Sequence, residues 1–264
     1  MLQITSKDNP RIKELAKLYS SARARRESGL FVLEGVRLVR DAQINGVSIR
    51  SLFVTEDGIR RLGESAAALI AAAGEVFEIP DNLAARVGDT VQPQGVFAVC
   101  EGTLAMPGLP ENTEGGILIL ASLQDPGNVG TILRSAAAFG LGGVLMSRDC
   151  PDPASPKVLR AAMGVRPAWQ TGDICAAIDT LRARGVPVYA AALGENSVTV
   201  DEVFLAGAAV VIGNEGSGLP ENVIAHCTMP VILPIAPGCE SLNAAMAATV
   251  FAWELSRAAR RGRP

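Results

Sequence analysis

Residues 208–220 read AAVVIGNEGSGLP. Ala208 to Ile212 is a short unbroken apolar run closed by glycine, which reads as a strand covered on both faces. Gly213, Gly216 and Gly218 let the backbone approach a ligand closely, and Pro220 stands where a helix begins. Strand, glycine loop and helix start make one unit of a parallel α/β sheet, in which ligands bind at the carboxyl ends of the strands. Glu215 sits in that loop, not on a solvated helix face.

The same pattern extends outward. Ile117–Ala121, Gly143–Met146, Val186–Ala192 and Met229–Leu233 are further strand candidates with helical patterns between them. After the first comes Gln124-Asp125-Pro126-Gly127-Asn128, then Arg134 six residues on. Pro126-Gly127 makes a turn and Asn128 reads as the helix N-cap. After the last comes an irregular loop into a final helix over about Ser241 to Arg260. There Ser241 reads as the cap, with Asn243 in the first turn. Leu242, Ala245, Met246, Thr249, Val250 and Trp253 fall on one helical face, expected to be the apolar one. Three loop-then-helix segments thus converge on one sheet edge.

Toward the amino terminus the pattern is a smaller α/β alternation. A helix is expected over 9–27, then strand Leu30–Leu33, helix Val36–Ile44, strand Ile49–Val54, helix Ala66–Ala73, and strands Val76–Ile79 and Gly95–Cys100. Residues 101–116, with Pro107 and Pro110 and no periodicity, read as a linker. The expected domains are 1–100 and 117–264.

Composition narrows the function. The 264 residues are 48% hydrophobic and 19% charged, which suits packed cores rather than disorder. The five cysteines are dispersed with no C-x-x-C pair, and His226 is the only histidine, so no metal site is expected. Their odd count argues for a reducing cytoplasm over a disulfide framework. Met1–Lys7 has no apolar signal region and no apolar run is long enough to span a bilayer. No phosphate-binding P-loop, G-x-G-x-x-G turn or G-x-S-x-G elbow is present, and His226 lies in no triad-like context. The net charge is −3, yet Lys7, Arg11, Arg23, Arg25 and Arg26 crowd the first helix, and Arg257, Arg260, Arg261 and Arg263 the tail. Local basic patches of this kind attract nucleic-acid phosphates despite the overall sign.

Together, N-x-G-x-x-x-R at Asn128–Arg134, G-N-E-G-x-G-L at Gly213–Leu219 and E-S-L-N at Glu240–Asn243 resemble the three signature motifs of the SpoU (TrmH-like) RNA 2′-O-methyltransferases of the SPOUT class. Ser155–Gly164 looks like a further family segment. Asn9-Pro10 and Phe31–Gly35 resemble the substrate-binding domain often fused to these enzymes. The resemblance implies a trefoil-knotted parallel-sheet domain behind a small ribosomal-protein-like α/β RNA-binding domain. It also implies a homodimer, and S-adenosylmethionine held by backbone at Gly213, Leu233 and Leu242, with Leu193 a further contact. Arg134 would act at the target ribose by its charge or as proton acceptor, or an RNA phosphate would relay the proton. Asn128, Glu215, Ser241 and Asn243 would orient the reactants. Ala137-Ala138, Ala162 and Ala244-Ala245-Met246 depart from common family residues. Ribosomal RNA is the expected substrate. Transfer RNA, or a non-catalytic RNA-binding or ribosome-assembly role on the same fold, are the alternatives.

Overall fold

The computed structural model describes residues 1–88, 93–194, 196–239 and 241–261, so Glu240 and Arg263 lie outside the described residues. The chain divides into two compact units, Met1–Leu104 with Ala154–Val165, and Ala105–Pro153 with Arg166–Pro264.

In the first unit the elements run β1 (Leu2–Gln3), α1 (Pro10–Ser20), α2 (Ala22–Ser28), β2 (Leu30–Glu34), α3 (Val36–Ile44), β3 (Ile49–Val54), α4 (Glu56–Leu62), α5 (Ser65–Ala72), β4 (Glu75–Glu78), α6 (Asp81–Val87) and β5 (Val96–Glu101). The sheet order is β1-β4-β3-β5-β2, with β5 antiparallel to both neighbours. Successive side chains of a strand point to opposite faces. Val32 therefore joins a core with Leu15, Phe53 and Phe97, while Phe31 and Leu33 join a second with Leu52 and Leu69.

The single helix expected over 9–27 is two. Ser21 is extended (φ −114°, ψ 111°) and its side chain accepts from the Ala24 N–H at 3.2 Å, so it ends α1 and caps α2. The Arg25 guanidinium donates to the carbonyls of Leu18 (2.7 Å) and Tyr19 (3.2 Å), satisfying groups that the broken helix leaves open.

In the second unit, among the described residues, eight strands are all parallel: β6 (Ala105–Pro107), β7 (Ile117–Leu120), β8 (Gly143–Ser147), β9 (Ala168–Thr171), β10 (Val188–Ala191), β11 (Val198–Thr199), β12 (Ala209–Ile212) and β13 (Met229–Ile232). Their order is β11-β13-β10-β12-β7-β8-β9-β6. The helices are α7 (Pro126–Phe139), α8 (Pro156–Ala162), α9 (Ile174–Ala183), α10 (Glu221–His226) and α11 (Ala244–Arg261). Part of the segment expected as a linker is ordered into the sheet, since β6 pairs with β9.

Although α8 lies within the expected carboxyl-terminal domain, it folds with the first unit. Leu159 enters that unit's core, and Arg160 donates to Glu34 at 2.9 Å and to the Tyr19 hydroxyl at 2.8 Å. Glu34 is almost fully buried, so the guanidinium supplies the partner its carboxylate needs.

The expected apolar face of α11 is rotated. Ala245, Ala248, Ala252 and Leu255 are buried, while Met246, Val250 and Trp253 are exposed. Small residues let α11 pack closely on α7, with Ser135 and Thr249 hydroxyls bonded at 2.8 Å and Ser256 donating to the Phe139 carbonyl at 2.7 Å. Among the described residues no helix is long and apolar enough to cross a membrane.

Candidate functional site

Because the second sheet is wholly parallel, the loops after β7, β8, β10, β12 and β13 all leave its carboxyl edge. β7 and β12 are neighbours, so the first two motif loops lie side by side.

The α7 motif is capped by Asp125, not by Asn128. The Asp125 carboxylate accepts from the Asn128 N–H at 2.8 Å, with Pro126 at the first helical position. The Asp-Pro dipeptide was the overlooked signal, since proline favours the position just after the cap. Asn128 is thereby freed, and its side chain turns to Glu215.

Glu215 accepts three hydrogen bonds: from the backbone N–H of Gln124 (3.0 Å), the backbone N–H of Asp125 (3.1 Å) and the Asn128 amide (3.0 Å). Partial burial raises the carboxyl's pKa, but the Asn128 amide and the backbone donors outweigh it, leaving the group below its ordinary value. With its amide nitrogen on Glu215, Asn128 presents Oδ1 to the amide of Asn243, which donates to it at 3.1 Å. A hydrogen-bonded chain Glu215–Asn128–Asn243 thus joins all three motifs.

The final helix begins later than expected. Asn243, not Ser241, caps α11, its Oδ1 accepting from the N–H groups of Ala245 (2.9 Å) and Met246 (3.2 Å). Ser241 remains in the exposed loop before it. Arg134 lies on α7 with its side chain exposed and no hydrogen bond or ion pair among the described residues.

Leu193, Leu233, Ser241, Leu242 and Phe251 line one open cavity of about 230 Å³ at the ends of β10 and β13. Leu193 is 88% exposed. Apolar side chains around strand-end backbone suit S-adenosylmethionine, whose adenine and aliphatic chain need apolar walls and whose polar edges need backbone partners. Gly213 does not line that cavity. It closes the second motif loop, where Asn214 and Gly218 exchange two backbone hydrogen bonds of 3.0 Å. A Cβ on Gly213 would sit 2.4 Å from the Gly218 carbonyl carbon.

Two side chains in this region escaped the sequence reading. Asn214 donates to the Ser122 carbonyl at 2.7 Å, and the Ser147 hydroxyl accepts the Ser122 N–H at 2.9 Å. No periodicity marks such residues; only the fold brings them together.

The basic residues of the first helical stretch separate. Arg25 is buried and spent on carbonyls, so it is withdrawn from the RNA-binding set. Arg11 pairs with Glu75 at 2.8 Å and Arg23 with Glu27 at 2.6 Å, both part-exposed or exposed. Lys7 and Arg26 are exposed.

The chain is similar to known proteins along nearly its whole length. The profile of the SpoU rRNA methylase family matches residues 116–253, and that of the MRM3-like substrate binding domain matches residues 9–98. An uncharacterised tRNA/rRNA methyltransferase of Synechocystis is 33% identical, over 96% of this chain and 93% of its own length. A 23S rRNA guanosine 2′-O-methyltransferase of Bacillus subtilis is 29% identical, over 97% and 99%. Among solved structures, an AdoMet-bound rRNA methyltransferase from Sinorhizobium meliloti superposes with a TM-score of 0.78 at 29% identity, covering 97% of both chains. With its three motifs joined by hydrogen bonds and its sequence matched along nearly the whole length, the chain belongs to the SpoU rRNA methylase family.

Proposed function

We propose that this protein transfers the methyl group of S-adenosylmethionine to a ribose 2′-hydroxyl of ribosomal RNA, acting in the cytoplasm as a homodimer. The observation that carries this reading is the Glu215–Asn128–Asn243 chain, which aligns three loops at the carboxyl edge next to the Leu193–Leu242 cavity. The sulfonium cofactor supplies an already activated methyl carbon. The protein's share is therefore orientation and management of one proton.

Leu193, Leu233 and Leu242 would hold the cofactor, with Ser241 beside it. Arg134 meets the RNA: a guanidinium keeps its proton, so it serves as a fixed charge that grips the phosphate beside the target ribose and stabilises the hydroxyl as it loses its proton. A phosphate oxygen of the RNA relays that proton to solvent. Glu215 and Asn128 hold the start of α7, and so the helix that carries Arg134, in register with the cofactor loops.

Support for ribosomal RNA comes from the substrate named for the Bacillus subtilis relative and from the matched substrate-binding domain. Support for a dimer comes from Met246, Val250 and Trp253, an exposed apolar stripe on α11 that a second copy would cover.

The test is incubation with radiolabelled S-adenosylmethionine and total RNA from a strain lacking the gene. Alkali-resistant label at one dinucleotide of large-subunit RNA supports the proposal; label in transfer RNA alone replaces the substrate. Arg134→Ala is expected to lower turnover by about 100-fold with cofactor binding kept, and near-normal turnover removes Arg134 from its role.

A further inference from the structure

Ser122, between β7 and α7, has φ +57°, a left-handed backbone conformation that costs a side-chain-bearing residue steric energy. Such a conformation persists only where neighbours hold it. Here both backbone polar groups of Ser122 are gripped. Its N–H goes to the Ser147 hydroxyl at 2.9 Å, and its carbonyl accepts the amides of Asn214 (2.7 Å) and Gln124 (3.1 Å). Ser147 is buried at the end of β8, and its hydroxyl also bonds the Cys150 thiol at 3.4 Å. The hydroxyls of Ser122 and Ser147 lower the Asp149 carboxyl below its ordinary value, against some burial.

The consequence lies two and three residues downstream. The turn at Ser122 redirects the chain so that Gln124 and Asp125 aim their N–H groups at Glu215. Asn214 and Glu215 are consecutive, so one loop grips the turn at Ser122 and at the N–H groups it presents. Nothing in the chemistry of methyl transfer requires a serine on β8; the geometry of Ser122 does.

We infer that Ser147 is a positioning residue for methyl transfer, acting through the left-handed turn at Ser122 to set the N–H groups that hold Glu215. This rests on the proposed activity, but its test has a readout independent of it. Ser147→Ala removes the acceptor and leaves the Ser122 N–H unpaired. In the full chain we expect kcat to fall about tenfold, with the KM for RNA and the Kd for S-adenosylmethionine changed less than about twofold. Amide hydrogen exchange at Gln124 and Asp125 should accelerate. Adding Ser122→Gly supplies a residue that takes this conformation without steric cost, although the N–H stays unpaired, so the double variant should recover part of the rate and of the protection. Unchanged exchange in Ser147→Ala, or a double variant as impaired as the single one, overturns the inference. If the wild-type protein transfers no methyl group to any RNA, the activity falls, and amide exchange alone decides the role of Ser147.

Discussion

Asn243 donates to Oδ1 of Asn128 at 3.1 Å across 115 residues of sequence, while its own Oδ1 caps α11. One side chain therefore does two separable things: it starts the last helix, and it holds the first motif against the third.

The two roles separate by substitution. Asn243→Asp keeps a good cap but loses the donor to Asn128. It should retain nearly the wild-type melting temperature and lose most turnover. Asn243→Ala should lose turnover and about 1 kcal/mol of stability as well. Thermal unfolding beside methyl-transfer rates checks this, and equal stability loss in both variants would contradict it.

Glu215 ties stability to pH. Its carboxyl titrates below the ordinary 4.5 in the folded chain, so folding favours the charged form. The contribution is complete above the unfolded value and disappears as pH falls through the folded one. Wild type should be more stable than Glu215→Gln at pH 7, and the gap should close in the acid range below 4.5. Melting temperatures of both proteins across pH 3 to 7 measure it; a gap independent of pH would refute the carboxylate's part.

Gly213→Ala places a methyl group against backbone, 2.4 Å from the Gly218 carbonyl carbon and 2.6 Å from the Leu219 nitrogen. Neither atom can swing aside, so the loop must open, at a cost of about 1–3 kcal/mol. The variant should melt lower, and because the motif loop adjoins the strand edge it should bind S-adenosylmethionine more weakly. Calorimetry with and without the cofactor reads both effects.

The amino-terminal basic residues should divide into two classes. Charge reversal of Lys7 and Arg26 should weaken RNA binding and flatten its salt dependence, the slope in log salt dropping by roughly 0.7–0.9 for each phosphate that is no longer neutralised. Arg25→Ala should instead lower the melting temperature, since it strands the carbonyls of Leu18 and Tyr19. Titration with RNA at several salt concentrations, with unfolding curves alongside, distinguishes them.

Much of this molecule was legible along the chain because its signals are local. Ala208–Ile212 is a strand because five apolar residues end at a glycine, and β12 forms there as Ala209–Ile212. Local signals failed where two positions competed for one task. Asp125 outranked Asn128 as a cap because proline follows it, and Asn243 outranked Ser241 because the loop continues past Ser241 before α11 begins. Ser21 broke a helix that apolar spacing alone ran straight through.

By itself, then, the sequence determined the alternation of apolar strands and helices, the three motif loops and their attachment to strand ends, since each depends on neighbours a few residues away. Tertiary structure alone decided that Glu215 faces Asn128 and that Ser147 holds Ser122. It also decided that Arg160 neutralises Glu34 and that α11 buries its alanines rather than Met246 and Trp253. Those are choices of partner, and a partner is set by which strands the sheet places side by side, not by distance along the chain.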